Sequence, residues 1–245
     1  MKKIIIILLL FFASQLVGAG LTLIFGQDPV TLGICTGVAE VLLIAVLCIF
    51  GLVSTKRPVS DSFRRKMPAR WWLALIGFAF ISLYFNVLIS PLDLPDLGME
   101  EKFAAMSESW LCILTLVVVA PLAEELVFRD GIMRLMMQSG TNKWVVIVCS
   151  AVVFGLVHGD LAQMIPAIIL GVVLGWLYVS TGDLRLCLPA HILNNALGVL
   201  FMVAYPTLDD SLEQMGTARC IFWGVTGIVA GLEMLGSYQK RQAKQ

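Results

Sequence analysis

A chain of 245 residues that is 59% hydrophobic and only 14% charged lacks the polar surface that a soluble protein of this size presents to water. Seventeen basic residues balance seventeen acidic ones, and no basic patch with interleaved aromatics stands out, which excludes nucleic acid as a partner. The class that remains is all-α: a polytopic bundle of membrane helices forming a single domain over residues 1–245.

Lys2 and Lys3 followed by the apolar run 4–12 have the outline of a signal peptide, and Val17-Gly18-Ala19 has the form of a cleavage site. The apolar character resumes through 21–25, making a run long enough to span a bilayer, so we read an uncleaved first helix. Seven further apolar runs lie at about 30–53, 71–90, 110–136, 144–158, 162–179, 186–204 and 219–236. Eight spans are therefore expected, the fifth of them short for the ~20 residues that a crossing needs. None of the runs alternates apolar with polar residues, as the strands of a membrane barrel would.

The loops give the orientation. Lys56, Arg57, Arg64, Arg65, Lys66 and Arg70 crowd the second connection, which the positive-inside rule places in the cytoplasm. Asp93, Asp96, Glu100, Glu101 and Glu108 face only Lys102 in the third, which is placed outside. Lys143 marks an inner turn, and Asp209, Asp210 and Glu213 an outer one. Lys240, Arg241 and Lys244 join Lys2 and Lys3 inside, so both termini are expected in the cytoplasm. Residues 97–106 suggest a weakly amphipathic outer segment. Trp71, Trp72, Trp110 and Trp144 sit at span ends as interfacial anchors. Gly155, Gly171 and Gly175 suit close helix packing. The six cysteines lie in apolar runs without C-x-x-C spacing, so no disulfide framework is expected.

Three polar islands interrupt the apolar runs. The first is P-L-A-E-E-L-V-F-R from Pro121 to Arg129; the second ends at His158; the third opens at His191 with H-I-L-N-N. Ionisable groups at membrane depth are costly and usually functional. Glu125 and Arg129 are four residues apart, with the acid on the N-terminal side, the favourable order for an intrahelical ion pair. Glu124 lies ~100° round the helix, free of that pair, as a candidate general base. Phe154 shares a face with His158, and His191 shares one with Asn195. The imidazole and amide of the latter pair suit a developing oxyanion.

E-E-x-x-x-R (Glu124, Glu125, Arg129), F-x-x-x-H (Phe154, His158) and H-x-x-x-N (His191, Asn195), in this order on successive hydrophobic helices, resemble the CPBP intramembrane proteases. That family includes the CaaX prenyl endopeptidases and the bacteriocin-processing (Abi) proteins. The likeness covers about residues 110–205 and uses both histidines of the chain. It implies hydrolysis of a peptide bond in a membrane-associated peptide or protein, with Glu124 and His158 activating water and His191 and Asn195 holding the oxyanion. Glu125, Arg129 and Phe154 support these four. Small size and composition point, by analogy, to a bacterial cytoplasmic membrane.

The marks of other intramembrane proteases are absent: there is no H-E-x-x-H, G-x-G-D or G-x-S-G. Gly159-Asp160 comes nearest and reads as a helix-end turn. Glu124, His158 and His191 also make a His₂Glu set of the kind that Zn²⁺ accepts in hydrolases. We favour the metal-free scheme and commit to no cofactor, because Asn195 suits hydrogen bonding better than ligation. Polar groups inside bundles also serve as interhelical glue. A proton-coupled transporter and a non-catalytic immunity-type protein are therefore the rival classes. One tension stands in this reading: counting ~1.5 Å per residue from the assumed span ends puts His191 near the cytoplasmic surface and His158 much deeper.

Overall fold

The computed structural model describes residues 2–53, 70–182, 184–204 and 215–242. These residues are helical with no strand, and the helices fall where the apolar runs are. In chain order they are α1 (Lys2–Phe25), α2 (Pro29–Ile49), α3 (Trp71–Ile89), the short α4 (Met99–Met106), α5 (Trp110–Gln138), α6 (Lys143–Leu156), α7 (Leu161–Thr181), α8 (Cys187–Ala204) and α9 (Thr217–Gln242). The basic cluster Lys56–Lys66, the acids Asp209, Asp210 and Glu213, and Lys244 lie outside the described residues.

Six of these helices are long and apolar enough to cross a membrane: α1, α2, α3, α5, α7 and α9. The other two apolar segments expected to span, α6 and α8, are shorter. At 14 residues α6 reaches only ~21 Å, well under the ~30 Å of a hydrocarbon core. Its early end has a local cause. Gly159 adopts φ +85°, and Asp160 then caps α7 by accepting a hydrogen bond from the Gln163 N–H at 2.9 Å. The Gly159-Asp160 pair is thus a turn between two helices. A similar stop-start opens α2, where Asp28 caps and Pro29 follows at the first helical position. The Thr31 hydroxyl, and then its backbone N–H, hold the Asp28 carboxyl below its usual range.

Three helix pairs carry the packing: α3 with α9, α6 with α7, and α1 with α2. In the first, glycines do the work that lipid-embedded helices require, letting backbones approach where no water drives association. Gly77 of α3 and Gly231 of α9 face each other, and a Cβ on Gly77 would meet the Gly231 carbonyl at 2.8 Å. In the second pair, Gly155 has no room for a methyl group beside the Ile168 side chain, and a Cβ on Gly171 would lie 2.9 Å from the Ala151 Cα. Gly175 differs, its nearest neighbour being Met133 at an ordinary 3.4 Å. Gly171→Ala is therefore expected to cost about 1–3 kcal/mol by overpacking, while Gly175→Ala stays near wild type. Melting of the two purified variants in detergent checks the contrast. All six cysteines are free thiols; Cys35, Cys112, Cys187 and Cys220 are buried, and Cys48 and Cys149 are exposed.

Candidate active site

The site is built on a distorted helix. Within α5, Thr115–Val119 and Leu126–Met133 are π-helical and flank the short α-helical piece Ala120–Glu125 that carries both glutamates. Such wide turns are rare and frequently functional. Pro121 explains part of the first one. Ala120 N–H reaches back five residues to the Thr115 carbonyl. In that register, position 121 would serve Leu116, but proline has no N–H to give. The Leu116 carbonyl instead accepts a hydrogen bond from Asn195 Nδ2 on α8 at 2.8 Å.

Glu125 and Arg129 lie at the centre of the bundle, 0% and 1% exposed, with Nη1 2.9 Å from Oε1. The distance is that of an ion pair, but the N–H does not line up for a hydrogen bond, and Arg129 Nε and Glu125 Oε2 have no hydrogen-bond partner. The guanidinium instead lies over the Phe154 ring, 4.7 Å from its centroid. His191, 2% exposed, completes the cluster. Its Nδ1 is 2.9 Å from Glu125 Oε1, and its Nε2 is 3.5 Å from Glu124 Oε2, long for a hydrogen bond. One imidazole thus stands between the two neighbouring carboxylates. Glu124 is the more accessible of them, at 17%.

His158 follows the end of α6, and its Nδ1 hydrogen-bonds the Phe154 carbonyl at 2.8 Å. A carbonyl only accepts, so Nδ1 carries a proton, which in the neutral ring leaves the lone pair on Nε2. The Phe154 ring meets both imidazoles edge-on, with centroids 5.0 Å from His158 and 5.8 Å from His191. The two imidazoles thus pack on one ring, although counting along the assumed spans placed them at different depths. Because α6 stops at Leu156, His158 sits in the turn and shares a ring with His191. Among the described residues no hydrogen bond or ion pair joins His158 to either glutamate, and Asn195 pairs with α5 backbone and Asn194. No three His, Cys, Asp or Glu side chains among the described residues gather as a group able to hold a metal ion. His191 Nδ1 is engaged by Glu125, which leaves its Nε2 facing Glu124.

Three residues here escape a reading of the sequence. Glu40 of α2, a helix that packs on the Ala120–Glu125 segment, is 4% exposed with Oε2 unpartnered. The signal for it exists in the chain, since it is an ionisable residue within the apolar run 30–53. Asn194 and Ser82, which join Asn195 in a hydrogen-bonded chain, are ordinary polar residues on apolar helices and give no such signal.

The family described as "Type II CAAX prenyl endopeptidase Rce1-like" matches residues 106–197. "Putative membrane peptidase YdiL" of Bacillus subtilis (strain 168) is 29% identical over 162 residues, covering 62% of this chain and 63% of that protein. "UPF0177 protein YxdF" of Lactococcus lactis subsp. lactis (strain IL1403) is 32% identical over 117 residues, or 42% of this chain and 62% of the relative. The chain thus spans a little over three fifths of the length of each of these curated relatives. No solved structure matches it significantly. The long apolar helices and the membrane-protein relative mark an integral membrane protein. Residues 106–197, which carry the E-E-x-x-x-R, F-x-x-x-H and H-x-x-x-N patterns, are thus similar to the Rce1-like family, consistent with the CPBP resemblance of the sequence.

Proposed function

We propose that this protein is an intramembrane endopeptidase that cleaves a membrane-associated peptide by direct attack of water. The observation that carries the reading is the His191 ring set between Glu125 and Glu124, with Arg129 as fixed counter-charge behind them. Glu124, the exposed member, takes the proton of the attacking water, helped by Nε2 of His158, and returns it to the leaving amine as the peptide C–N bond breaks. A His191 ring protonated at both nitrogens donates one N–H to Glu125 and turns the other towards the forming oxyanion. The Asn195 amide supplies a second donor, since Leu116 uses only one of its two N–H protons. Glu125 and Arg129 hold the imidazole and balance its charge, as a second shell does in other hydrolases.

In this reading all eight apolar helices cross or enter the membrane, with α6 and α8 as the shorter ones lining the site. Lys2, Lys3 and Lys240 put both ends of the chain in the cytoplasm, opposite the acids of 93–108. Both relatives are bacterial, which supports a bacterial cytoplasmic membrane.

The test is cleavage of a panel of membrane-anchored peptides, prenylated C-terminal peptides included, by the purified protein in liposomes, read by mass spectrometry. Cleavage that persists after chelation and disappears in His158→Ala is the expected result. Loss on chelation with recovery on adding zinc overturns the metal-free scheme. Full biological effect in a Glu124→Ala strain assigns the protein to the immunity-type class, and proton flux abolished by the same change assigns it to transport.

A further inference from the structure

The Asn195 amide is one member of a hydrogen-bonded chain that crosses three helices. The Ser82 hydroxyl of α3 donates to Asn194 Oδ1. Asn194 Nδ2 donates to Asn195 Oδ1 at 3.0 Å, and Asn195 Nδ2 donates to the Leu116 carbonyl of α5 at 2.8 Å. The direction of each bond is forced by its far end. The Leu116 carbonyl only accepts, so Asn195 must turn Nδ2 to it and Oδ1 away. That oxygen in turn draws Nδ2 of Asn194, which leaves Oδ1 of Asn194 to accept from a hydroxyl. An asparagine's terminal torsion is broad and roughly two-fold, so an unheld amide presents oxygen about as readily as nitrogen. Where an oxyanion needs a donor, the wrong face costs the reaction twice, through a lost hydrogen bond and an added repulsion.

We propose that Ser82 and Asn194 are positioning residues for Asn195, fixing which face of its amide meets the reacting carbonyl. The chain is closed at one end by the carbonyl that Pro121 leaves without an N–H, and at the other by a helix outside the three polar islands. This assignment rests on the oxyanion role proposed for Asn195. Ser82 also lines a small, water-sized pocket between α3 and α7, beside Phe78, Phe85, Pro166 and Leu170. That second location separates two modes of action. A side chain that only touches substrate changes KM, whereas one that orients Asn195 changes kcat.

Ser82→Ala and Asn194→Ala are expected to lower kcat on the order of 10- to 100-fold, short of the ~10²–10³ for losing an oxyanion donor outright. KM stays within about twofold, and Ser82→Thr, which keeps the hydroxyl, recovers most of the loss. In an Asn195→Ala background neither substitution lowers the residual activity further, because the three residues act as one unit. Wild-type kcat in both variants, a change confined to KM, or additive losses on top of Asn195→Ala would overturn the assignment. Wild-type activity of Asn195→Ala itself removes the oxyanion reading, and the relay falls with it. Ser82→Ala, a small change at a half-buried position, provides a folded variant even if Asn194→Ala melts early.

Discussion

Glu124→Gln is expected to lower peptide cleavage by about 10²–10⁴-fold, the usual worth of a positioned general base, while leaving the fold intact. The amide keeps the size of the carboxyl group and loses only its ability to accept a proton from water. The structure explains why stability is spared. Glu124 is the accessible member of the pair, and its contact to His191 Nε2 is long at 3.5 Å. Glu125→Gln makes the complementary case, because Glu125 is fully buried and holds both Arg129 and His191. Its loss should be felt in activity and in melting temperature together. Cleavage and a detergent melt on the same two preparations read the contrast. A Glu124→Gln protein that melts like wild type and cleaves like wild type would end the general-base assignment.

Arg129→Met is expected to destabilise the protein by about 3–5 kcal/mol, the range for removing one partner of a buried pair. The guanidinium is 1% exposed and faces Glu125, whose Oε2 already lacks a hydrogen-bond partner. Methionine fills much of the volume over the Phe154 ring, so the loss is mainly electrostatic. Restoring neutrality with Glu125→Gln in the same chain should return part of the stability, since an uncompensated buried charge costs more than a missing pair. At roughly 2–4 °C per kcal/mol for a chain of this size, the single variant's shift is readily seen in a thermal melt. Activity should not return in the double variant, because His191 then lacks the anion that orients it. A single variant melting within a degree of wild type would show that the pair does not hold the bundle together.

The polar islands were readable in the chain because a glutamate or histidine inside an apolar run stands out against its neighbours. Glu124, Glu125, Arg129, His158 and His191 are such residues, and the structure gathers Arg129 and both histidines around the Phe154 ring, with Glu125 against Arg129 and His191. Glu40 carries the same signal but sits alone in a long run, without a partner at helical spacing to draw notice. Ser82 and Asn194 carry none, because neutral polar side chains are common on membrane helices and their use depends on what another helix brings opposite. The two π-helical stretches of α5 were equally out of reach. A five-residue register next to Pro121 is favoured only when a partner such as Asn195 takes the carbonyl left over.

By itself the sequence determined the membrane class, the positions of the helices and the pairing of Glu125 with Arg129, all of which follow from hydropathy and spacing within one segment. Only the tertiary structure decided that His191 lies between two carboxylates and that Asn195 closes on Leu116. Those outcomes depend on how helices cross, on which glycines admit a neighbouring backbone and on which orphaned carbonyl another segment can reach. Each joins residues tens of positions apart, so no local pattern in the chain encodes it.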